Sequence, residues 1–335
     1  MPMTFAILGA GAWGTAIARH LAELPSHHVR LWCARPTTAD ELRSHRENRP
    51  LLPGVTIPDS VEITADFDRA VAAADVCVGA VPTVHMRSAF TPFAGKYPAT
   101  VPWLSLAKGV EIETFLRPTQ IAERVLKAER LAVLSGPSHA EEVSRGLPTS
   151  LVAASADSEL AHWVQTAFTS ERFRVYTNAD VIGVELAGAL KNVVGIAAGI
   201  CDGLGFGDNA KAALLTRGLV EMARFGIALG AEHATFYGLA GVGDLMTTCF
   251  SPHGRNRRVG QRLAAGESLA DILSSTTMVA EGVYTTRSVY ERTLAMGVEM
   301  PILSEVYRVL YQGKPPLQAV SDLMLRRLSR EQLPT

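Results

Sequence analysis

The chain has 335 residues, too many for one ordinary core of roughly 100 to 150 residues and few for three, so two domains are expected. Lysine plus arginine, at 32, nearly cancels aspartate plus glutamate, at 33, which removes the electrostatic case for a nucleic-acid or membrane-surface protein and leaves a small-molecule ligand as the default. Apolar residues, at 47%, are ample for a packed interior.

The start, Met1 to Gly11, has no basic leader before its apolar stretch and runs straight into glycines. Short apolar or β-branched runs then alternate with helix-like stretches: Phe5 to Leu8, Val29 to Cys33, Val61 to Thr64, Val76 to Val81, Val101 to Leu106, Leu131 to Leu134 and Leu151 to Ala154. That alternation predicts a mostly parallel sheet with helices on both faces. After about Asn178 the strand-like runs stop. Val181 to Ile200 and Ala210 to Leu229 carry helical spacing, punctuated by glycine clusters, and predict an all-helical second domain. The expected division is therefore 1–179 and 180–335. The longest membrane-span candidate, Val181 to Cys201, is interrupted by Glu185 and Lys191, so no span, and a soluble, cytoplasmic protein, are expected. Four scattered cysteines, Cys33, Cys77, Cys201 and Cys249, read as reduced thiols acting as small buried hydrophobes.

Gly9-Ala10-Gly11-Ala12-Trp13-Gly14 lies between the first strand and a helix running through Leu24. In that context the glycines have separate tasks. Gly9 permits a tight turn, Gly11 lets backbone amides approach a pyrophosphate, and Gly14 lets helix and strand pack closely. The helix N-terminus then favours the phosphates. A site selective for NAD carries an acid near the end of the second strand, but Cys33-Ala34-Arg35 offers none before Asp40. Arg35 is suited to a 2′-phosphate, so NADPH is expected to bind well; the bland alternative is a solvated arginine. Ala107-Lys108-Gly109 and Ser135-Gly136-Pro137-Ser138 sit at two further strand ends, where ligands of open sheets collect, although either could be an ordinary turn.

In the second half, Glu185, Gly188, Asn192, Gly195 and Gly199 fall on one helical stripe almost bare of bulk, with Lys191 at its margin. Something must approach that backbone closely, either another helix or a ligand. Further on, Gly241-Val242-Gly243-Asp244 precedes Gly254-Arg255-Asn256-Arg257-Arg258, where donors at a helix start make a plausible phosphate receptor. Nine scattered histidines with no HxxxH pair favour a metal-free site; His139 is read as structural.

Gly-Ala-Gly-Ala-Trp-Gly-Thr-Ala from Gly9, Leu52-Pro53-Gly54, Lys108-Gly109, Gly136-Pro137-Ser138, Glu185 to Asn192, Gly203 to Leu219, Gly238 to Asp244, Arg255-Asn256 and Glu281-Gly282 together resemble the bacterial NAD(P)-dependent glycerol-3-phosphate dehydrogenases. The resemblance covers essentially the whole chain in order. It departs at Ala12 and Gly254, where members often carry serine, and at Ala107, where threonine is usual. It implies a Rossmann-type N-terminal domain, a helical substrate and dimerisation domain, and the interconversion of glycerone phosphate and sn-glycerol 3-phosphate with NADP or NAD, feeding phospholipid synthesis. It also implies a cytoplasmic homodimer. By position, Lys191 is the general acid and base, with Lys108 and Asp244 orienting it and the substrate oxygens. Gly136, Ser138, Gly254, Arg255 and Asn256 hold the three-carbon phosphate. Gly9, Gly11, Ala12, Trp13, Gly14, Arg35, Lys108, Ala140, Arg255, Val279 and Glu281 line the cofactor.

Two other readings compete. A 3-hydroxyacid or ketopantoate-type reductase would share the architecture and a lysine but take a carboxylate in place of the phosphate. A non-catalytic NADPH sensor would need only the dinucleotide turn and would have no use for Lys191, Asp244 and Arg255.

Overall fold

The computed structural model describes residues 3–276, 278–327 and 331. The chain divides into two compact units, one of Met1–Ala107 with Pro118–Val181, the other of Lys108–Arg117 with Ile182–Thr335. This differs from a single boundary after 179: ten residues expected in the N-terminal half belong to the second unit.

The first unit is an eight-stranded sheet. Its strands are β1 (Met3–Leu8), β2 (His27–Trp32), β3 (Val61–Thr64), β4 (Val76–Gly79), β5 (Trp103–Ser105), β6 (Leu131–Ser135), β7 (Thr149–Ala154) and β8 (Phe173–Asn178). The spatial order is β3-β2-β1-β4-β5-β6-β7-β8, and every neighbouring pair is parallel except β6 with β7. The strand order reverses between β1 and β4, the place where doubly wound sheets hold their ligand. Phe5, Ile7, Val29, Leu31, Val76, Val78 and Leu104 are buried in its core, and β1 and β4 read as apolar runs because both of their faces are covered. β8 has no counterpart among the apolar runs of the sequence. It is half polar, alternating buried Phe173 and Val175 with exposed Arg174 and Tyr176, and period-two alternation was its only signal.

The second unit is helical. Its core is built around Val181–Gly203, from which 19 residues are buried, packed with side chains of Asp208–Ala228, Arg255–Ala264, Glu281–Met296 and Pro301–Tyr311. This helix is long and apolar enough to cross a membrane by length and composition, but 89% of its most apolar window is buried inside the protein. All four cysteines are free and buried.

The glycine stripe has two occupants. In its C-terminal half, a Cβ on Gly199 would lie 1.9 Å from the carbonyl oxygen of Arg257, and one on Gly260 would lie 2.0 Å from that of Ile196. Two helix backbones therefore meet through glycines from both sides, the bland reading of the stripe. In its N-terminal half, Glu185 and Asn192 bind residues of the 108–117 segment.

Candidate active site

In the first unit, β1 ends in a turn at Gly9, whose φ of +127° is one that side chains rarely adopt. A Cβ there would meet the backbone of Ala80 at 2.8 Å, and one on Gly14 would meet the Gly9 carbonyl oxygen at 1.9 Å. The helix Ala12–Ala22 is thereby drawn against the ends of β1 and β4. A Cβ on Gly11, by contrast, would meet nothing within 4 Å. No side chain caps this helix, and its first turn carries no acid, so its N-terminal amides are set to receive an anion. The Trp13 Nε1 is buried without a hydrogen-bond partner among the described residues, an arrangement that a bound polar group would relieve. Ala140 opens a short helix that packs against Ala12–Ala22. Arg35 is exposed at the end of β2, and no ion pair or side-chain hydrogen bond engages it among the described residues. These features fit a dinucleotide at the end of β1.

Gly136 repeats the φ of +127° at the end of β6. The Ser138 hydroxyl donates to its carbonyl oxygen at 2.9 Å.

The second unit gathers the charged candidates. Asp244 follows a π-helical turn, Leu239–Gly243, and opens the helix Asp244–Phe250. At 1% exposure, its carboxylate takes one lysine on each oxygen: Lys191 Nζ donates to Oδ1 at 2.7 Å, and Lys108 Nζ to Oδ2 at 2.8 Å. Lys191 also donates to the Thr248 hydroxyl. Thr248, one turn beyond Asp244, is a site residue that sequence reasoning missed; its spacing of four from Asp244 was the available signal. Room for it comes from two glycines. A Cβ on Gly195 would reach the Thr248 methyl at 2.7 Å, and one on Gly254 would reach the Thr248 carbonyl oxygen at 2.8 Å. A serine at 254 would thus require this backbone to shift.

An amide relay fixes the backbone beside the lysines. Gly282 N–H donates to Asn256 Oδ1 at 2.9 Å, Asn256 Nδ2 to Asn192 Oδ1 at 2.9 Å, and Asn192 Nδ2 to the Lys108 carbonyl at 2.9 Å. A Cβ on Gly282 would sit 2.6 Å from the Asn192 carbonyl oxygen. Asn256 is therefore a structural link, whatever else its remaining N–H binds. Arg255 is exposed and donates to the Val279 carbonyl at 3.3 Å, two residues before Glu281 begins its helix.

Burial lowers the Lys108 ammonium to about 8; Asp244 opposes this, while Lys191 and Arg255 add to it by repulsion. Two ammonium groups thus share one carboxylate while Arg255 repels Lys108, an excess of positive charge suited to an anionic substrate. Because the folded value lies below the unfolded one, the protonated lysine destabilises the fold below about pH 8, and this cost disappears as pH rises toward 10.5. For function the sign is opposite. In the substrate-free enzyme the cation is lost above about pH 8, so kcat/KM for an anionic substrate should fall there, and Lys108→Arg should remove that limb from the pH profile.

The candidate residues fall into two sets. Gly9, Gly11, Ala12, Trp13, Gly14, Arg35, Gly136, Ser138 and Ala140 lie in the first unit, and Lys108, Lys191, Asp244, Gly254, Arg255, Asn256, Val279 and Glu281 in the second. Among the described residues no group of three or more His, Cys, Asp or Glu side chains is placed to hold a metal ion.

A doubly wound sheet with a glycine turn at its switch point, joined in one chain to a helical unit carrying paired lysines, defines a dinucleotide-dependent dehydrogenase class. Within that class the chain belongs to the NAD-dependent glycerol-3-phosphate dehydrogenase family, whose N-terminal model matches residues 4–161 and whose C-terminal model matches 180–321. It is 48% identical over 332 residues to a glycerol-3-phosphate dehydrogenase [NAD(P)+] of Chlorobium phaeobacteroides (strain BS1), covering 98% of this chain and 99% of that one. The crystal structure of glycerol-3-phosphate dehydrogenase from Coxiella burnetii superposes with a TM-score of 0.92 at 36% identity, covering 97% of this chain and 99% of that one. A PanE/ApbA family ketopantoate reductase from Ralstonia eutropha JMP134 shares the fold at a TM-score of 0.60, with 17% identity over 95% of this chain and 100% of that one; at that level the likeness is of fold alone.

Proposed function

We propose that the chain catalyses the reversible reduction of glycerone phosphate to sn-glycerol 3-phosphate with NADPH or NADH, with Lys191 as the proton donor. The observation that carries this reading is Asp244, whose two carboxylate oxygens hold Lys191 and Lys108 side by side. When bound, the nicotinamide supplies or accepts the hydride. The chain's own residues then have three tasks.

Lys191, held by Asp244 and Thr248, gives a proton to the substrate oxygen in reduction and takes it back in oxidation. Lys108, on the other carboxylate oxygen, presents a cation to the same oxygens. In the second unit Arg255, Gly254 and Asn256 are assigned to the phosphate, and in the first Gly9, Gly11, Ala12, Trp13, Gly14, Arg35 and Ala140 to the cofactor; roles for Gly136, Ser138, Val279 and Glu281 rest on the family. A homodimer, a cytoplasmic location and supply of glycerol 3-phosphate for phospholipid synthesis belong to the same reading and rest on the family.

The direct test mixes the purified protein with glycerone phosphate and each nicotinamide and follows cofactor oxidation. Reduction of 2-ketopantoate but not glycerone phosphate would replace this reading with the carboxylate one, and tight NADPH binding without any turnover would favour a sensor. Cofactor choice is expected to rest on Arg35. Arg35→Asp should weaken NADPH relative to NADH by roughly tenfold to a hundredfold in KM, since a charge-assisted bond to the 2′-phosphate contributes about 1.5 to 3 kcal/mol. Equal changes for both cofactors would show that Arg35 does not sense the phosphate.

A further inference from the structure

The ten-residue arm Lys108–Arg117 is held in the second unit by attachments along its whole length. At its start, Asn192 donates to the Lys108 carbonyl and Asp244 takes the Lys108 ammonium. In its middle, the Ser288 hydroxyl donates to the Glu111 carbonyl at 2.8 Å. Near its end, the Phe115 and Phe225 rings meet at right angles with centroids 5.8 Å apart, and the Arg292 guanidinium lies 5.7 Å from the Phe115 centroid. At its last residue, Arg117 forms an ion pair with Glu185, whose side chain is fully buried at 0% exposure.

Two features set this arm apart from an ordinary loop. Glu113 and Phe115 have φ of +69° and +57°, a conformation that non-glycine residues adopt rarely and bulky ones least of all. Such backbone persists only where its surroundings over-determine it. The arm also delivers one ammonium next to another, since Lys108 is repelled by both Lys191 and Arg255. A segment that is strained and electrostatically pushed needs a rigid anchor at its far end. The helix Val181–Gly203 supplies it, with Glu185 two turns before Lys191 and Asn192 on the same element.

We infer that the buried Arg117–Glu185 ion pair is a positioning element of the reaction: it fastens the strained arm to the helix that bears Lys191, and so holds Lys108 on Asp244. Neither residue touches the reacting atoms; both act through Lys108, and the inference rests on the role of Lys108 proposed above.

The test compares Lys108→Ala, Glu185→Gln and the double variant Arg117→Met with Glu185→Leu. The double variant replaces the pair by apolar groups, a change buried sites commonly tolerate without loss of stability. Lys108→Ala should be nearly inactive and partly restored by added ethylammonium. Both pair variants should lose at least about tenfold in kcat/KM for glycerone phosphate, because small misplacements of a catalytic group are costly. Their affinity for NADPH should stay within about twofold of wild type. Ethylammonium should restore them in part, because their lysine no longer fills its place; a merely destabilised protein would not respond. A stably folded double variant with wild-type kcat/KM, or lost activity that ethylammonium does not restore, would overturn the inference. Wild-type activity in Lys108→Ala would remove the reading beneath it as well.

Discussion

Lys191→Met is expected to lower turnover in glycerone phosphate reduction by about 10² to 10⁴ while leaving dinucleotide affinity near normal. Methionine keeps the length and apolar character of the lysine stem but carries no proton. Lys191 is only 7% exposed and its ammonium is spent on Asp244 and Thr248, so the variant leaves those acceptors to Lys108 and to solvent without opening a large void. Fluorescence titration with NADPH, set beside steady-state kinetics, separates the two effects. Turnover at the wild-type level would mean that the proton comes from elsewhere, with Lys108 the first place to look because its ammonium is held near 8.

Asp244→Asn should damage both stability and rate. The carboxylate is 1% exposed and is the shared acceptor for two ammonium groups. An amide of the same shape can accept on one atom only and turns donors toward the second lysine. Breaking a buried pair by removing one partner costs about 3 to 5 kcal/mol, because the remaining charges stay buried and unpaired. The expected thermal and denaturant midpoints are correspondingly low at neutral pH. The deficit should shrink as pH rises toward about 8 and level off above it: Asp244 raises the Lys108 value, so the variant's lysine sheds its proton at a lower pH than the wild type's, and a neutral lysine no longer repels its neighbour. Turnover should fall by at least about 10². A pH-independent loss of stability would show that packing, and not the charge pair, is what Asp244 provides.

The outcomes for the fold follow the kind of signal each element carries. β1, β4 and the Gly9-to-Gly14 turn were legible because burial on both faces of a parallel sheet leaves apolar runs, and because the Gly9 and Gly14 backbones have no room for a side chain. β8 was not, since an edge strand with Arg174 and Tyr176 facing outward differs little from a loop in composition. The stripe on Val181–Gly203 showed that something approaches closely but not what. Gly199 and Gly260 meet through contacts 61 residues apart in sequence, and no local pattern encodes such a partner.

By itself the amino-acid sequence determined two halves of different character, a dinucleotide turn at the start of the first, and lysines, an aspartate and an arginine as chemically apt residues in or near the second. These are properties of local periodicity, turn stereochemistry and residue type. Only the tertiary structure decided that residues 108–117 join the second unit, that Lys108 and Lys191 share the two oxygens of Asp244, that Thr248 accepts from Lys191, and that Glu185 pairs with Arg117. The physical reason is distance along the chain. Asp244 lies 136 residues from Lys108 and 53 from Lys191, so their approach is settled by the packing of whole helices and by the exclusion of water around them, neither of which leaves a trace in the spacing of neighbouring residues.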